Sequence, residues 1–191
     1  TRTWDLVRAF RSNGGVTLEL ATAVKPFEIT LDATFGPALT MALTVRNTAA
    51  RNAKFEEALH SYFAVSDVRR ITIGGLAGVP YFSKVEGHPM VQADDRLRFT
   101  GETDRIYGNT QSTCVIDDPG LGRCITVEKC NSNTTVVWNP WTAKAARMPD
   151  FGDDEWSGMV CIETCNVAGH AVTLPAGATH RMSATVSVGL R

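Results

Sequence analysis

The chain has 191 residues, 43% of them apolar and 20% charged, with a net charge of −1. That length suits one domain with a sizeable core, and so even a charge balance excludes bulk attraction to nucleic acid or a membrane surface. No apolar run approaches the roughly 20 residues of a membrane-spanning helix, and no signal peptide is recognised at the start.

The opening Thr1-Arg2-Thr3-Trp4 reads as mid-domain sequence, so a preceding N-terminal part is expected. Alternation with period two then dominates. Phe27, Ile29, Leu31, Ala33 and Phe35 share one side of a candidate strand, and Leu39, Met41, Leu43 and Val45 share one side of the next. Phe35-Gly36-Pro37-Ala38 between them reads as a hairpin connection. Further strands are expected at 16–20, 55–63, 70–73, 97–100, 113–116, 123–128, 135–138, 158–164, 171–174 and 180–188. They recur at short intervals between Gly, Pro, Asn and Asp clusters, which predicts a single all-β sandwich or barrel over 1–191. Helical signal is confined to 141–148, stopped by Pro149. Asp150-Phe151-Gly152-Asp153-Asp154-Glu155 reads as an acidic loop.

The five cysteines, Cys114, Cys124, Cys130, Cys161 and Cys165, are odd in number and form no C-x-x-C pair. Reduced, mostly buried thiols of a cytoplasmic protein are expected rather than a disulfide framework or a zinc ribbon. The four histidines have no metal-ligand spacing, and no phosphate loop or nucleophile elbow is present. Neither a metal nor another cofactor is expected.

Three polar residues fall inside β-type sequence: His60, Asp104 and Glu163. An imidazole or a carboxylate is costly to bury unless it is partnered or used. Alternation puts His60 with Tyr62 on the face opposite Leu59 and Phe63, where it can line a cleft. It puts Glu163 on one face with Met159, Cys161 and Cys165, where burial would raise its pKa and make it a better base near neutrality. The competing readings are a structurally hydrogen-bonded His60, a solvent-facing Glu163 on an edge strand, and a turn carboxylate at Asp104 paired with Arg105. Trp141, after Asn139-Pro140, can wall a sugar ring, but Trp138 and Trp141 read equally well as packing.

Five segments in order resemble the glucose-6-phosphate 1-epimerases, or hexose-6-phosphate mutarotases, which belong with the aldose 1-epimerases. The first is Glu57-Ala58-Leu59-His60-Ser61-Tyr62-Phe63, followed by Gly74-Gly75-Leu76-Ala77-Gly78-Val79-Pro80-Tyr81 and Lys84. The second is Phe99-Thr100-Gly101-Glu102-Thr103-Asp104-Arg105-Ile106-Tyr107. The third is Val137-Trp138-Asn139-Pro140-Trp141 with Lys144-Ala145 and Met148-Pro149-Asp150-Phe151. The fourth runs from Trp156 to Asn166 through Cys161-Ile162-Glu163, and the fifth is Leu174-Pro175-Ala176-Gly177 with His180.

The resemblance implies a galactose-mutarotase-like antiparallel β-sandwich (a supersandwich) lacking its N-terminal strands, the C-terminal two-thirds of a longer chain. It implies interconversion of the α and β anomers of a hexose 6-phosphate without a cofactor, by a monomer. His60 would be the general acid and Glu163 the general base, with Asp104 binding sugar hydroxyls. Arg2 resembles the arginine of the family's H-G-x-x-R segment and would help hold the phosphate; the rest of that segment, and an earlier R-G-G-x-P stretch, are absent. The alternatives are an aldose 1-epimerase of free sugars and a carbohydrate-binding sandwich without catalysis.

Overall fold

A computed structural model describes residues 2–12 and 14–191, so Thr1 of the opening segment lies outside the described residues. Among the described residues the strands are, in chain order, β1 (Asp5–Ser12), β2 (Gly15–Val24), β3 (Phe27–Phe35), β4 (Leu39–Asn47), β5 (Ala53–Phe55), β6 (Glu57–Leu59), β7 (Tyr62–Ala64), β8 (Thr72–Gly74), β9 (Pro80–Ser83), β10 (His88–Val91), β11 (Arg96–Leu97), β12 (Thr103–Gly108), β13 (Cys114–Asp118), β14 (Arg123–Cys130), β15 (Thr134–Asn139), β16 (Met159–Asn166), β17 (Val172–Leu174) and β18 (Thr179–Leu190). The helix expected at 141–148 is α1 (Trp141–Ala145).

The strands form two large antiparallel sheets and a small one. The larger has the order β1-β2-β3-β4-β18-β14-β13-β8-β11, the smaller β10-β9-β12-β15-β16-β6 with β7 also on β16, and β5 pairs with β17. Alternating side chains decide how the large sheets pack. Tyr107, Val137, Val160, Ile162 and Phe63 of the smaller sheet meet Ile73, Ile116, Ile125 and Val127 of the larger in one buried cluster. This is an antiparallel sandwich, one of the two architectures that the alternation predicts.

The opposite face of the smaller sheet carries a thinner apolar layer of Val136, Trp138, Met159, Cys161 and Cys165. Polar groups can therefore sit on this face without entering the main core. Cys114, Cys161 and Cys165 are buried, whereas Cys130 is exposed.

Two differences from the sequence reading have physical causes. The strand expected at 55–63 is divided into β5, β6 and β7, with His60 and Ser61 outside regular pairing. The strand expected at 97–100 is reduced to Arg96–Leu97, although Leu97 and Phe99 are both core residues. Burial there is achieved by irregular backbone.

Candidate active site

Register assembles the site. β12 pairs with β15 so that Asp104 faces Trp138 and Ile106 faces Val136. β15 pairs with β16 so that Trp138 faces Cys161 and Val136 faces Glu163. β16 carries β7 at Cys161↔Tyr62 and β6 at Thr164↔Leu59. The register is the same on both sides of the gap, so His60 falls opposite Glu163. On the far side β9 places Phe82 against Ile106, and the Lys84 N–H donates to the Asp104 carbonyl at 2.8 Å.

Two parallel rows result. One reads Phe82, Ile106, Val136, Glu163, His60, and the next Lys84, Asp104, Trp138, Cys161, Tyr62. Successive side chains on a strand alternate faces, so both rows point away from the main core. Their members other than Phe82, Cys161 and Tyr62 line a cleft of about 420 Å³, joined by Glu56 and by Val167 and Ala168.

Within it, His60 Nε2 lies 3.2 Å from Glu163 Oε1; the histidine side chain is 46% exposed and the glutamate 9%. β16 lies between β15 and β6, so Glu163 is not on an edge strand facing solvent. Tyr62 stacks on the His60 ring at 4.9 Å, and Trp138 meets it edge-on at 6.1 Å, which fixes the imidazole plane.

Burial pushes Glu163 up to about 7; the Asp104 charge adds to the rise and Lys84 opposes it. Burial lowers His60, against opposing contributions from its own backbone and from Asp104. Desolvation thus disfavours the charged form of both groups. Their contact at 3.2 Å is short enough for one proton to lie between them.

Asp104 is buried and its partners are cations of the cleft rather than Arg105. Lys84 Nζ lies 3.6 Å from Oδ1 and Lys144 Nζ 3.9 Å from Oδ2. Lys144 is shared with Glu102 at 3.1 Å. Arg105 is on the other face and donates to Gln92 Oε1. Arg2 is not part of the cleft lining; its guanidinium donates to the Ala23 carbonyl at 3.2 Å.

Trp141, expected as an aromatic wall, packs instead on Trp156 at 4.5 Å, and it is Trp138 that lines the cleft. Sequence reasoning missed Glu56. It accepts the Ala168 N–H at 2.7 Å, tying the segment after β16 across one side of the cleft. Ala168 is held at φ 56°, a left-handed conformation that costs an alanine about 1–2 kcal/mol.

An antiparallel sandwich with a polar cleft on the free face of one sheet is the architecture of galactose-mutarotase-like proteins. The chain belongs to the aldose 1-epimerase family, whose family model matches residues 2–187. It is 34% identical over 146 residues to a protein of Cenchrus ciliaris named "putative glucose-6-phosphate 1-epimerase", covering 74% of this chain and 44% of that one. A protein of the same name from Escherichia coli K12 is 38% identical over 108 residues, covering 56% of this chain and 36% of its own. The chain thus spans less than half the length of these relatives. Among solved structures, a "putative mutarotase" from Salmonella typhimurium superposes with a TM-score of 0.87 at 27% identity, covering 98% of this chain and 65% of that one.

Proposed function

We propose that the cleft interconverts the α and β anomers of a hexose 6-phosphate, with glucose 6-phosphate as the first candidate. The observation that carries the reading is the His60–Glu163 contact at 3.2 Å on the floor of a polar, sugar-sized cleft. The family and the relatives' names support it.

Glu163, as carboxylate, takes the proton from the C1 hydroxyl. His60, as imidazolium, gives a proton to the ring oxygen O5. The electron pair left on O1 forms the carbonyl as the C1–O5 bond breaks. Rotation about C1–C2 presents the other carbonyl face, and the reverse transfers close the ring with C1 inverted. A positioned acid or base typically contributes about 10²–10⁴-fold. Only protons move, and the two side chains exchange roles on the return.

The pair works with one proton between its members; burial, which raises Glu163 to about 7 and lowers His60, favours that proton on the carboxylate of the free cleft, and the step above requires its transfer to His60. The Asp104 charge raises the pKa of both members, which favours keeping that proton. Asp104 also offers acceptor oxygens to sugar hydroxyls, and Trp138, which lines the cleft, stands beside the ring.

The phosphate preference rests on the relatives' names and on the cations at this end of the cleft, Lys84 and the neighbouring Lys144. Arg2 is assigned to phosphate through the resemblance alone. Every group this chemistry uses lies on one chain, so the reading takes a monomer as the working unit.

The test is NMR exchange spectroscopy of glucose 6-phosphate and glucose with the chain added. Faster exchange of the phosphate sugar supports the reading. Faster exchange of glucose makes the protein an aldose 1-epimerase of free sugars. Sugar binding without acceleration makes it a carbohydrate-binding sandwich.

A further inference from the structure

His60 and Tyr62 stand two residues apart where β6 gives way to β7, so their side chains leave the backbone on the same side. Their rings lie nearly parallel, with centroids 4.9 Å apart and 19° between the planes. Trp138 meets both of them at a steep angle, at 6.1 Å from His60 and 6.0 Å from Tyr62. It also has a cation of its own, Lys144 Nζ, 6.0 Å from its ring centroid. Of the two aromatic neighbours, only Tyr62 lies flat against the imidazole.

Core packing does not account for Tyr62, which is 56% exposed. Nor does substrate contact, since it is not among the residues that line the cleft. Its phenol stays neutral: burial, with Cys161, Glu163 and Asp150, raises its pKa above the ordinary value. A neutral aromatic ring does not treat the two forms of a stacked imidazole alike. Its negative face attracts a cation within about 6 Å, and a neutral imidazole carries no net charge for that face to act on.

We propose that Tyr62 is a positioning residue for the acid: its ring, laid flat on His60, binds the imidazolium more tightly than the neutral imidazole and so holds the proton on the group that must deliver it. The inference rests on the reading of His60 as the general acid. Tyr62 acts through His60 alone and exchanges no proton.

The other groups around His60 are few. Glu163 and Cys161 come from β16, and Asp104 from β12; Lys84 follows β9, and Glu56 precedes β6. Glu163 is in contact at 3.2 Å, and the Asp104 charge raises His60. The Cys161 thiol is raised by burial and stays neutral. Lys84 and Glu56 line the cleft with opposite charges. Burial, the first cause, drives the charge off His60, and the stacked ring opposes it.

The sign of the effect separates this role from mere packing. A ring that only shields the imidazole from water disfavours its charged form, whereas a ring that attracts the cation favours it. The experiment is an NMR titration of the His60 Cε1–H, assigned by its loss in His60→Gln. It is run on wild type, Tyr62→Phe and Tyr62→Leu, and again with Glu163→Gln so that His60 titrates without its partner. Tyr62→Leu keeps bulk and removes the ring face, and should lower the His60 pKa by about half a pH unit to one pH unit. Tyr62→Phe should keep most of the wild-type value. An unchanged or raised pKa in Tyr62→Leu overturns the proposal. Should that variant not fold, a fluorinated phenylalanine at position 62, which keeps the shape and weakens the face, is compared with Tyr62→Phe; equal values overturn it. With glucose 6-phosphate, the limb of the rate profile that reports loss of the imidazolium should move down with the titration. If no sugar is exchanged, the reading of His60 as the acid fails, and the titration alone sustains or overturns the hold of Tyr62 on the imidazolium.

Discussion

Among the described residues two histidine–glutamate pairs share the segment that runs from β6 to His60: His60 meets Glu163 of β16 on the cleft face, and Glu57 meets His180 of β18 on the core face. His60 and Glu163 sit on the cleft face, 3.2 Å apart, with the imidazole 46% exposed. His180 reaches Glu57 on the core face at 2.8 Å, with side chains 19% and 2% exposed. Glu57 lies opposite Asn166 in the β6–β16 register, three positions from the His60–Glu163 level. Its Oε1 also accepts from Asn166 Nδ2 at 2.7 Å, and Asn166 donates further to the Asn131 carbonyl. Burial raises Glu57, and Asn166 and His180 pull it back.

The chemistry of the two pairs is the same; their access differs. The core pair is clamped by fixed donors and closed to substrate, so it ties β18 to β6 and β16. The cleft pair has aromatic neighbours, an open side and a proton that can be passed to a ligand. A strand that shows one residue to the core and the next to a cleft makes a brace and a reactive pair from the same side-chain types.

The comparison is broken most sharply at Glu163. Glu163→Gln removes the base and should lower anomer exchange by about 10²–10⁴-fold with sugar binding retained, as read by exchange spectroscopy and titration. The core pair should respond in the opposite currency. Glu57→Ala should cost about 3 kcal/mol of folding stability, measured by urea denaturation, with the rate per folded molecule little changed. A catalytic loss as deep as that of Glu163→Gln would show that the two pairs do not have separate roles.

The pH dependence of stability separates them further. Glu163 has a folded pKa of about 7 against a model value of 4.5. The unfolded chain ionises this group first, so its burial costs nothing below pH 4.5. The cost grows as pH rises, reaching its full size once pH passes about 7. Glu163→Gln should therefore melt at a higher temperature than wild type at pH 8, and the advantage should vanish by pH 4. The smallest expected effect is at Lys84, whose charge lowers the Glu163 pKa. Lys84→Met should move the acid limb of the rate profile upward by a fraction of a unit, less at high salt because this lysine is exposed.

Alternation made much of this legible. The face of His60, the face of Glu163 and the sandwich itself follow from period two, and burial along 55–63 alternates as the pattern requires. What the pattern could not carry was pairing between distant strands. That Glu163 faces His60, or that Glu57 meets His180, depends on register set by the whole sheet. The strands left out of the sequence reading are informative too. β1 and β10 are edges, with arginines in the first and Pro89 in the second, and edge strands lack the half-buried alternation that reveals inner ones; β9 lies inside the sheet but is only four residues long and opens on Pro80. Ala168 gave no sign, since alanine seldom adopts a left-handed conformation.

The rows that floor the cleft have a consequence for how this protein can vary. Four strands contribute one residue each to the His60 row, His60 itself lying between β6 and β7, and each strand position is counted in steps of two along its own strand. Point substitutions change one tile of that floor. Losing or gaining a single codon within β16 turns every tile beyond it face down, carrying Glu163 into the core or its neighbour into the cleft. The loops between strands can lengthen freely, while the strands tolerate only changes of letter and never of spacing.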